Sequence, residues 1–138
     1  MPETVSGAHV IWTYVLVFLG GGIGSALRHA SNRAGLALIG PNFPAGTLFV
    51  NIAGCLLMGL FAGWFAFRGE TTTQDLRLFL ATGICGGFTT FSAFSLDAVV
   101  LWQRGDYLVC AGYVGSSFVV ALLALLAGLA LMRTALAG

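Results

Sequence analysis

The sequence predicts an all-α integral membrane protein, a single domain over residues 1–138 built from four transmembrane helices. Composition is the first reason: 58% of the residues are hydrophobic and only 8% are charged, where a soluble domain carries roughly 25% charged residues. So few charges cannot coat a water-facing surface, but a lipid-facing one does not need them. The second reason is the presence of four long apolar stretches joined by short polar connections. The third is their pattern. Inside a bilayer every backbone polar group must be paired internally, which leaves helices and closed barrels, and these stretches lack the alternation that a barrel strand requires.

Crossing a hydrocarbon core of ~30 Å takes about 20 helical residues. The first stretch, about Val10 to Ala30, is uncharged until Arg28. The second, Thr47 to Phe67, has no charge. The third, Leu78 to Trp102, has Asp97 alone, and the fourth, Tyr107 to Met132, has none. The connections hold turn formers around Gly40–Pro44, the polar run Arg68–Arg77, and Gln103–Asp106. Thr71 with Gln74, or Thr72 with Asp75, has the spacing of a capping box opening the third helix. The N-terminus has Glu3 and no basic run, so the first stretch is expected to be a span and not a cleaved leader. Cys55, Cys85 and Cys110 each lie in an apolar stretch, which fits packing better than a disulfide or zinc framework. A net charge of +1 argues against a nucleic-acid partner.

The middle of the third stretch reads Gly83-Ile-Cys-Gly86-Gly87-Phe88-Thr89-Thr90-Phe91-Ser92-Ala93-Phe94-Ser95. Glycine is a poor helix former and β-branched threonine a weak one, so the pairs Gly86-Gly87 and Thr89-Thr90 predict a helix broken at mid-membrane. Such a break is tolerated where freed carbonyls line a cavity or are buried in protein, and transporters place ion sites there. Phe91 and Phe94, three apart, share a face. Flanked by the hydroxyls of Thr89, Thr90, Ser92 and Ser95, they present the positive ring edge of an aromatic quadrupole, a setting better suited to a small anion than to a cation. Asn51, one turn after Thr47, is costly in a membrane without a partner. It can donate to an anion or bond a neighbouring helix, and the sequence leaves both open. Tyr113, Ser116 and Ser117 form a polar stripe on the fourth helix. Arg28 closes a glycine-rich run and either draws anions to an entrance or anchors a helix end. Asp97, near a span end, is expected to pair with an arginine or cap a helix, not to transport.

Gly21-Gly22-Ile23-Gly24-Ser25-Ala26-Leu27-Arg28, Gly46-Thr47-Leu48-Phe49-Val50-Asn51 and the Gly83–Ser95 segment, in this order on four spans, resemble the CrcB-type fluoride-channel family, also called Fluc. The resemblance implies an antiparallel, dual-topology homodimer with two fluoride pores in a bacterial inner membrane. It implies that Phe91 and Phe94 are the pore phenylalanines and Asn51 the pore asparagine. Tyr113 and Ser117 fall on a polar track, Thr90 joins the pore, and Arg28 lies at a vestibule. The backbone carbonyls of Gly86 and Thr89 would hold a structural Na+ on the dimer axis. Ala93 stands where the family usually has threonine, Asp97 where glutamate is common, His29 where an aromatic is frequent, and Ala121 where some relatives continue the hydroxyl track.

Other function classes fit less well. An exporter of the small multidrug-resistance type needs a membrane-embedded carboxylate, and the first two stretches contain no acid. A non-transporting assembly subunit does not explain the clustered Thr-Thr-Phe-Ser. An enzyme needs a nucleophile–base pair or metal cluster, which the pattern does not supply. Orientation follows the distribution of Lys and Arg between the two sides. Four spans put Arg68, Arg77 and Arg133 on one side and Arg28, Arg33 and Arg104 on the other, three against three, with no lysine. The expected result is insertion both ways. Reporters fused at the C-terminus should signal from both compartments, and signal from one compartment alone would rule out dual topology.

Overall fold

The computed structural model describes residues 6–69 and 73–138. The chain is all-helical in these residues, with four stretches long and apolar enough to cross a membrane. Helix α1 (Gly7–Leu38) and helix α2 (Ala45–Arg68) are continuous. The third span, Gln74–Gln103, is made of two halves. Its first half, α3, comprises an α turn Gln74–Arg77, a π-helical segment Leu78–Cys85 and an α turn Gly86–Phe88. Its second half, α4, is Phe91–Gln103. Helix α5 (Tyr107–Ala137) completes the chain.

The first span is longer than the apolar stretch predicts. The apolar stretch is expected to end near Ala30, yet the helix runs on to Leu38, carried past the apolar run by good helix formers such as Arg33, Ala34 and Ala37. Arg28 is therefore not at a helix end. At 1.5 Å per residue the 32 residues of α1 measure ~48 Å, well beyond the hydrocarbon thickness. Gly40, at φ +99°, ends the helix in the left-handed conformation, and its N–H donates to the Leu36 carbonyl at 3.0 Å, an orphan acceptor at the helix terminus. At the end of α4, Gly105 at φ +82° makes the reversal into α5.

Thr71 and Thr72, the expected cap residues of the third span, lie outside the described residues. Thr73 performs the capping: its hydroxyl accepts from the Leu76 N–H at 3.2 Å. Arg77 reaches back to α2, where it donates to the Gly69 carbonyl at 3.0 Å and lies over the Phe65 ring. A cation there complements the negative end of the α2 dipole. Trp12 donates to an Asp75 carboxylate oxygen at 2.8 Å, tying the start of α1 to the start of α3.

Helices in lipid gain little from excluding water, so they associate through close packing of small residues. Two such contacts organise the bundle. On α1, Gly20 and Gly24 lie directly against the π-helical segment. A Cβ on Gly20 would stand 2.6 Å from the Phe79 carbonyl, and one on Gly24 would meet the Ile84 carbonyl and the Phe88 nitrogen. Between α2 and α5, Gly59 and Gly128 play the same part, a Cβ on Gly128 standing 2.5 Å from the Leu56 carbonyl. The buried side chains form a small cluster of Phe94, Leu101, Cys110 and Tyr113. Much of the large apolar surface faces outward, as on Phe18, Leu108 and Leu122; lipid is the solvent for such a surface.

Gly24→Ala should destabilise the fold by roughly 1–3 kcal/mol, the range for overpacking. Gly22→Ala, where a Cβ meets nothing within 4 Å, should leave stability unchanged. Unfolding midpoints in mixed micelles compare the two; equal midpoints would show that the α1–α3 contact does not limit packing.

A broken third span and the groove beside it

The break falls at Thr89-Thr90 and not at the glycine pair. Gly86 and Gly87 remain helical, and Gly87 serves close contact with α1, since a Cβ on it would stand 3.0 Å from the Gly21 carbonyl carbon and α carbon. Thr89 and Thr90 are extended, at φ −83°, ψ 157° and φ −154°, ψ 122°. Each threonine closes one side of the gap. The Thr89 hydroxyl donates to the Cys85 carbonyl at 2.9 Å, ending α3. The Thr90 hydroxyl accepts from the Ala93 N–H at 3.2 Å, capping α4.

Asn51 answers the question its sequence leaves open. Its amide nitrogen donates to the Thr90 carbonyl at 2.9 Å, and its amide oxygen accepts from the Thr90 N–H at 2.8 Å. One primary amide thus replaces both helical partners that Thr90 gives up, so α2 holds the break open. Only one amide hydrogen is used in this pairing, and the amide has two. Asn51 therefore bonds a neighbouring helix and keeps one donor in reserve.

The same rearrangement strips two carbonyls of partners. In a continuous helix Gly86 O would receive the Thr90 N–H and Thr89 O the Ala93 N–H. Those donors go to Asn51 and to the Thr90 hydroxyl instead, and no other backbone bond among the described residues reaches either oxygen.

A groove of about 530 Å³ runs beside the break. Asn51, Gly54, Cys55 and Met58 of α2 line it, with Gly86, Thr89 and Thr90 at the break, Phe91 and Phe94 of α4, and Ser117, Phe118, Ala121, Leu122 and Leu125 of α5. The two α4 rings have centroids 5.6 Å apart at 43°. Phe94 is 7% exposed and meets the Phe118 ring edge to face at 5.7 Å. Phe91 is 71% exposed and stands at the open side. The walls are mostly apolar, and the polar side chains in the lining are Asn51, Thr89, Thr90 and Ser117. Ser117 lies on this wall, but its hydroxyl donates to the Tyr113 carbonyl at 2.6 Å, so in this rotamer it offers the groove lone pairs. The side-chain donor of the lining that these bonds leave unused is the second Asn51 N–H.

Residues 15–129 match the profile of the family described as CrcB-like protein, Camphor Resistance (CrcB). The chain belongs to the CrcB family. It is 54% identical over 121 residues to the Fluoride-specific ion channel FluC of Rhodopseudomonas palustris (strain BisB5), an alignment spanning 88% of this chain and 97% of the relative. It is 50% identical over 124 residues to the Fluoride-specific ion channel FluC of Mesorhizobium japonicum (strain LMG 29417 / CECT 9101 / MAFF 303099), spanning 90% of this chain and 98% of the relative. It is 52% identical over 121 residues to that of Paracoccus denitrificans (strain Pd 1222), spanning 88% and 94%.

In this CrcB chain the groove gathers Asn51, Gly86, Thr89, Thr90, Phe91, Phe94 and Ser117 from the residues singled out in the sequence; Tyr113, Arg28, Asp97, Ser92, Ser95 and Ser116 do not line it. Tyr113 is 1% exposed behind Phe94, their centroids 5.4 Å apart. Arg28 lies on α1, lines neither this groove nor a second cavity, and makes no hydrogen bond or ion pair among the described residues. Asp97 does not pair with an arginine; it accepts from the Tyr113 hydroxyl at 3.0 Å, and Arg104 pairs with Asp106 instead. Asp97 borders the second cavity, of about 390 Å³, together with Thr47, Ala93 and Arg104. Cys55, Met58 and Phe118 were not legible as lining residues. Cys55 and Met58 follow Asn51 at helical spacing (four and seven residues on), which places them on its face; nothing in the sequence separates Phe118 from its apolar neighbours.

Asn51→Leu should leave a buried N–H and C=O of Thr90 unpaired, at about 1–3 kcal/mol for each group. Hydrogen exchange at the Thr90 amide should accelerate sharply in that variant. Exchange as slow as in the unmodified protein would show that the break does not depend on Asn51.

Proposed function

We infer that this protein is a fluoride channel, passing F− passively out of a bacterial cell across the inner membrane and so protecting the cell from fluoride. The observation that carries this reading is the groove of Phe91, Phe94 and Asn51 at a mid-membrane break, in a chain about half identical over nearly its whole length to proteins named as fluoride-specific channels.

Fluoride is small and strongly hydrated, so a narrow apolar path must replace its water with donors. Phe91 and Phe94 supply ring edges, which carry the positive part of the aromatic quadrupole. Asn51 supplies the amide hydrogen left over from its bond to Thr90, and Thr90 a hydroxyl. Ser117 continues the polar track along α5, its proton moving from the Tyr113 carbonyl to the ion as the hydroxyl rotates, while Tyr113, its hydroxyl held by Asp97, backs the Phe94 ring. Arg28 attracts the anion to the vestibule. A narrow pore, once the groove is enclosed in the assembled dimer, would exclude chloride by size.

The working unit is an antiparallel homodimer of dual-topology subunits. The groove is open along the side where Phe91 is exposed, and one chain does not enclose it. Balanced arginines remove the bias that would force a single orientation, and an antiparallel pair builds an inverted repeat out of two chains. At its twofold axis the carbonyls of Gly86 and Thr89 from both subunits would form an oxygen site for a structural Na+, a hard cation that takes such ligands. The two carbonyls freed by Asn51 and Thr90 fit that role. Bound there, the cation would neutralise the carbonyl dipoles at the subunit contact.

An exporter exchanging protons for cations has no support in this geometry. No carboxylate lines the groove among the described residues, and Asp97 is held by Tyr113.

Liposomes loaded with fluoride and containing the purified protein should release it rapidly to an external electrode, with no chloride release in a matched experiment. Phe91→Ile combined with Phe94→Ile should abolish the flux while the dimer persists by crosslinking. Unchanged flux in that variant would remove the ring edges from the mechanism, and absent flux in the unmodified dimer would remove the channel reading.

A further inference from the structure

The extension of α1 beyond the apolar stretch carries a consequence for lipid binding that does not depend on the conduction reading. The Trp12–Asp75 bond joins an indole to a carboxylate, and both groups favour the membrane–water boundary. From Trp12, ~30 Å of hydrocarbon is crossed in about 20 helical residues, which brings α1 to the opposite boundary at Asn32 and Arg33. The far boundary is marked independently by the Trp102–Tyr107 ring pair, centroids 4.6 Å apart, at the turn between α4 and α5. A hydrogen bond from Arg104 to the Asn42 side chain, 3.1 Å, ties the α1–α2 connection to that same level.

Arg33 is exposed at this depth and makes no hydrogen bond or ion pair among the described residues. His29, also exposed, lies one turn before it on the same face. The segment from Ala26 through Pro44 contains no acidic residue. The acids at this end of the bundle are engaged elsewhere, Asp97 with Tyr113 and Asp106 with Arg104. Three residues past Arg33, Leu36 is 58% exposed, an apolar neighbour on the same side. A bare guanidinium held at headgroup depth, with an apolar flank and no competing carboxylate, is complementary to a phosphate carrying acyl chains.

We propose that Arg33, with His29 beside it, binds the phosphate of an anionic phospholipid at the outer end of α1. Arg33 contributes the charge and the forked donors, and Leu36 meets the upper part of an acyl chain. Inserted in either direction, the chain would present this site to one leaflet.

Native mass spectrometry of the full-length protein, titrated in detergent with phosphatidylglycerol and separately with phosphatidylcholine, tests the proposal. The unmodified protein should retain phosphatidylglycerol in preference. Arg33→Gln should weaken that retention about fivefold, the factor one interfacial arginine contributes toward an anionic surface, with phosphatidylcholine retention unaltered. Arg33→Lys should keep most of the preference. Equal retention of phosphatidylglycerol by Arg33→Gln and the unmodified protein would overturn the proposal. So would displacement of the lipid by inorganic phosphate at matched concentration, which would make this a site for free anions.

Discussion

The architecture of the site depends on one side-chain amide. A helix cannot simply stop in the middle of a bilayer, because each backbone group left unpaired in hydrocarbon costs several kcal/mol. Asn51 supplies an acceptor and a donor to a single residue, Thr90, and so makes two extended residues tolerable at that depth. Everything distinctive about the groove follows from this. Phe91 and Phe94 start a new helix, and the carbonyls of Gly86 and Thr89 lose their helical donors. The side chain that holds the break is left with one amide hydrogen unused.

The rest of the bundle keeps that amide in register. α2 must approach the third span closely for Asn51 to reach Thr90, and the small residues allow it. A Cβ on Gly54, one turn along from Asn51, would run into the Thr89 side chain. The α1–α3 and α2–α5 contacts likewise bring backbone against backbone, which matters more in lipid than in water because dispersion and hydrogen bonding replace the hydrophobic drive. Polar side chains reinforce these contacts in several places: Trp12 with Asp75, Arg77 with the end of α2, Tyr113 with Asp97. Few side chains are fully buried, and the outward surface is largely apolar, as a lipid-facing surface can be.

The two cavities divide the polar groups between them. The groove beside the break has no charged residue in its lining, and the second cavity holds Asp97 and Arg104. Phe94 and Tyr113 stand between the two regions, ring against ring.

The sequence alone determined the membrane class, the number of spans and the span that is broken, because hydropathy and helix propensity are local properties. Charge depletion over four stretches needs no partner to be recognised, and neither does a run of poor helix formers in one of them. Span ends were less legible: Arg28 reads as a boundary, yet α1 continues past it, since a helix may leave the membrane without ending. The tertiary structure decided which residues of the third span actually leave the helix. Gly86-Gly87 and Thr89-Thr90 are both weak helix formers, but α1 packs on Gly87 and the glycine pair stays helical, while Asn51 reaches Thr90 and the threonines leave the helix. It decided the partner of Asp97 as well, setting it on Tyr113 and not on an arginine. A hydrogen bond between residues 39 positions apart has no trace in local pattern. It exists only once two helices have been brought within contact, and that proximity is what a single stretch of sequence cannot encode.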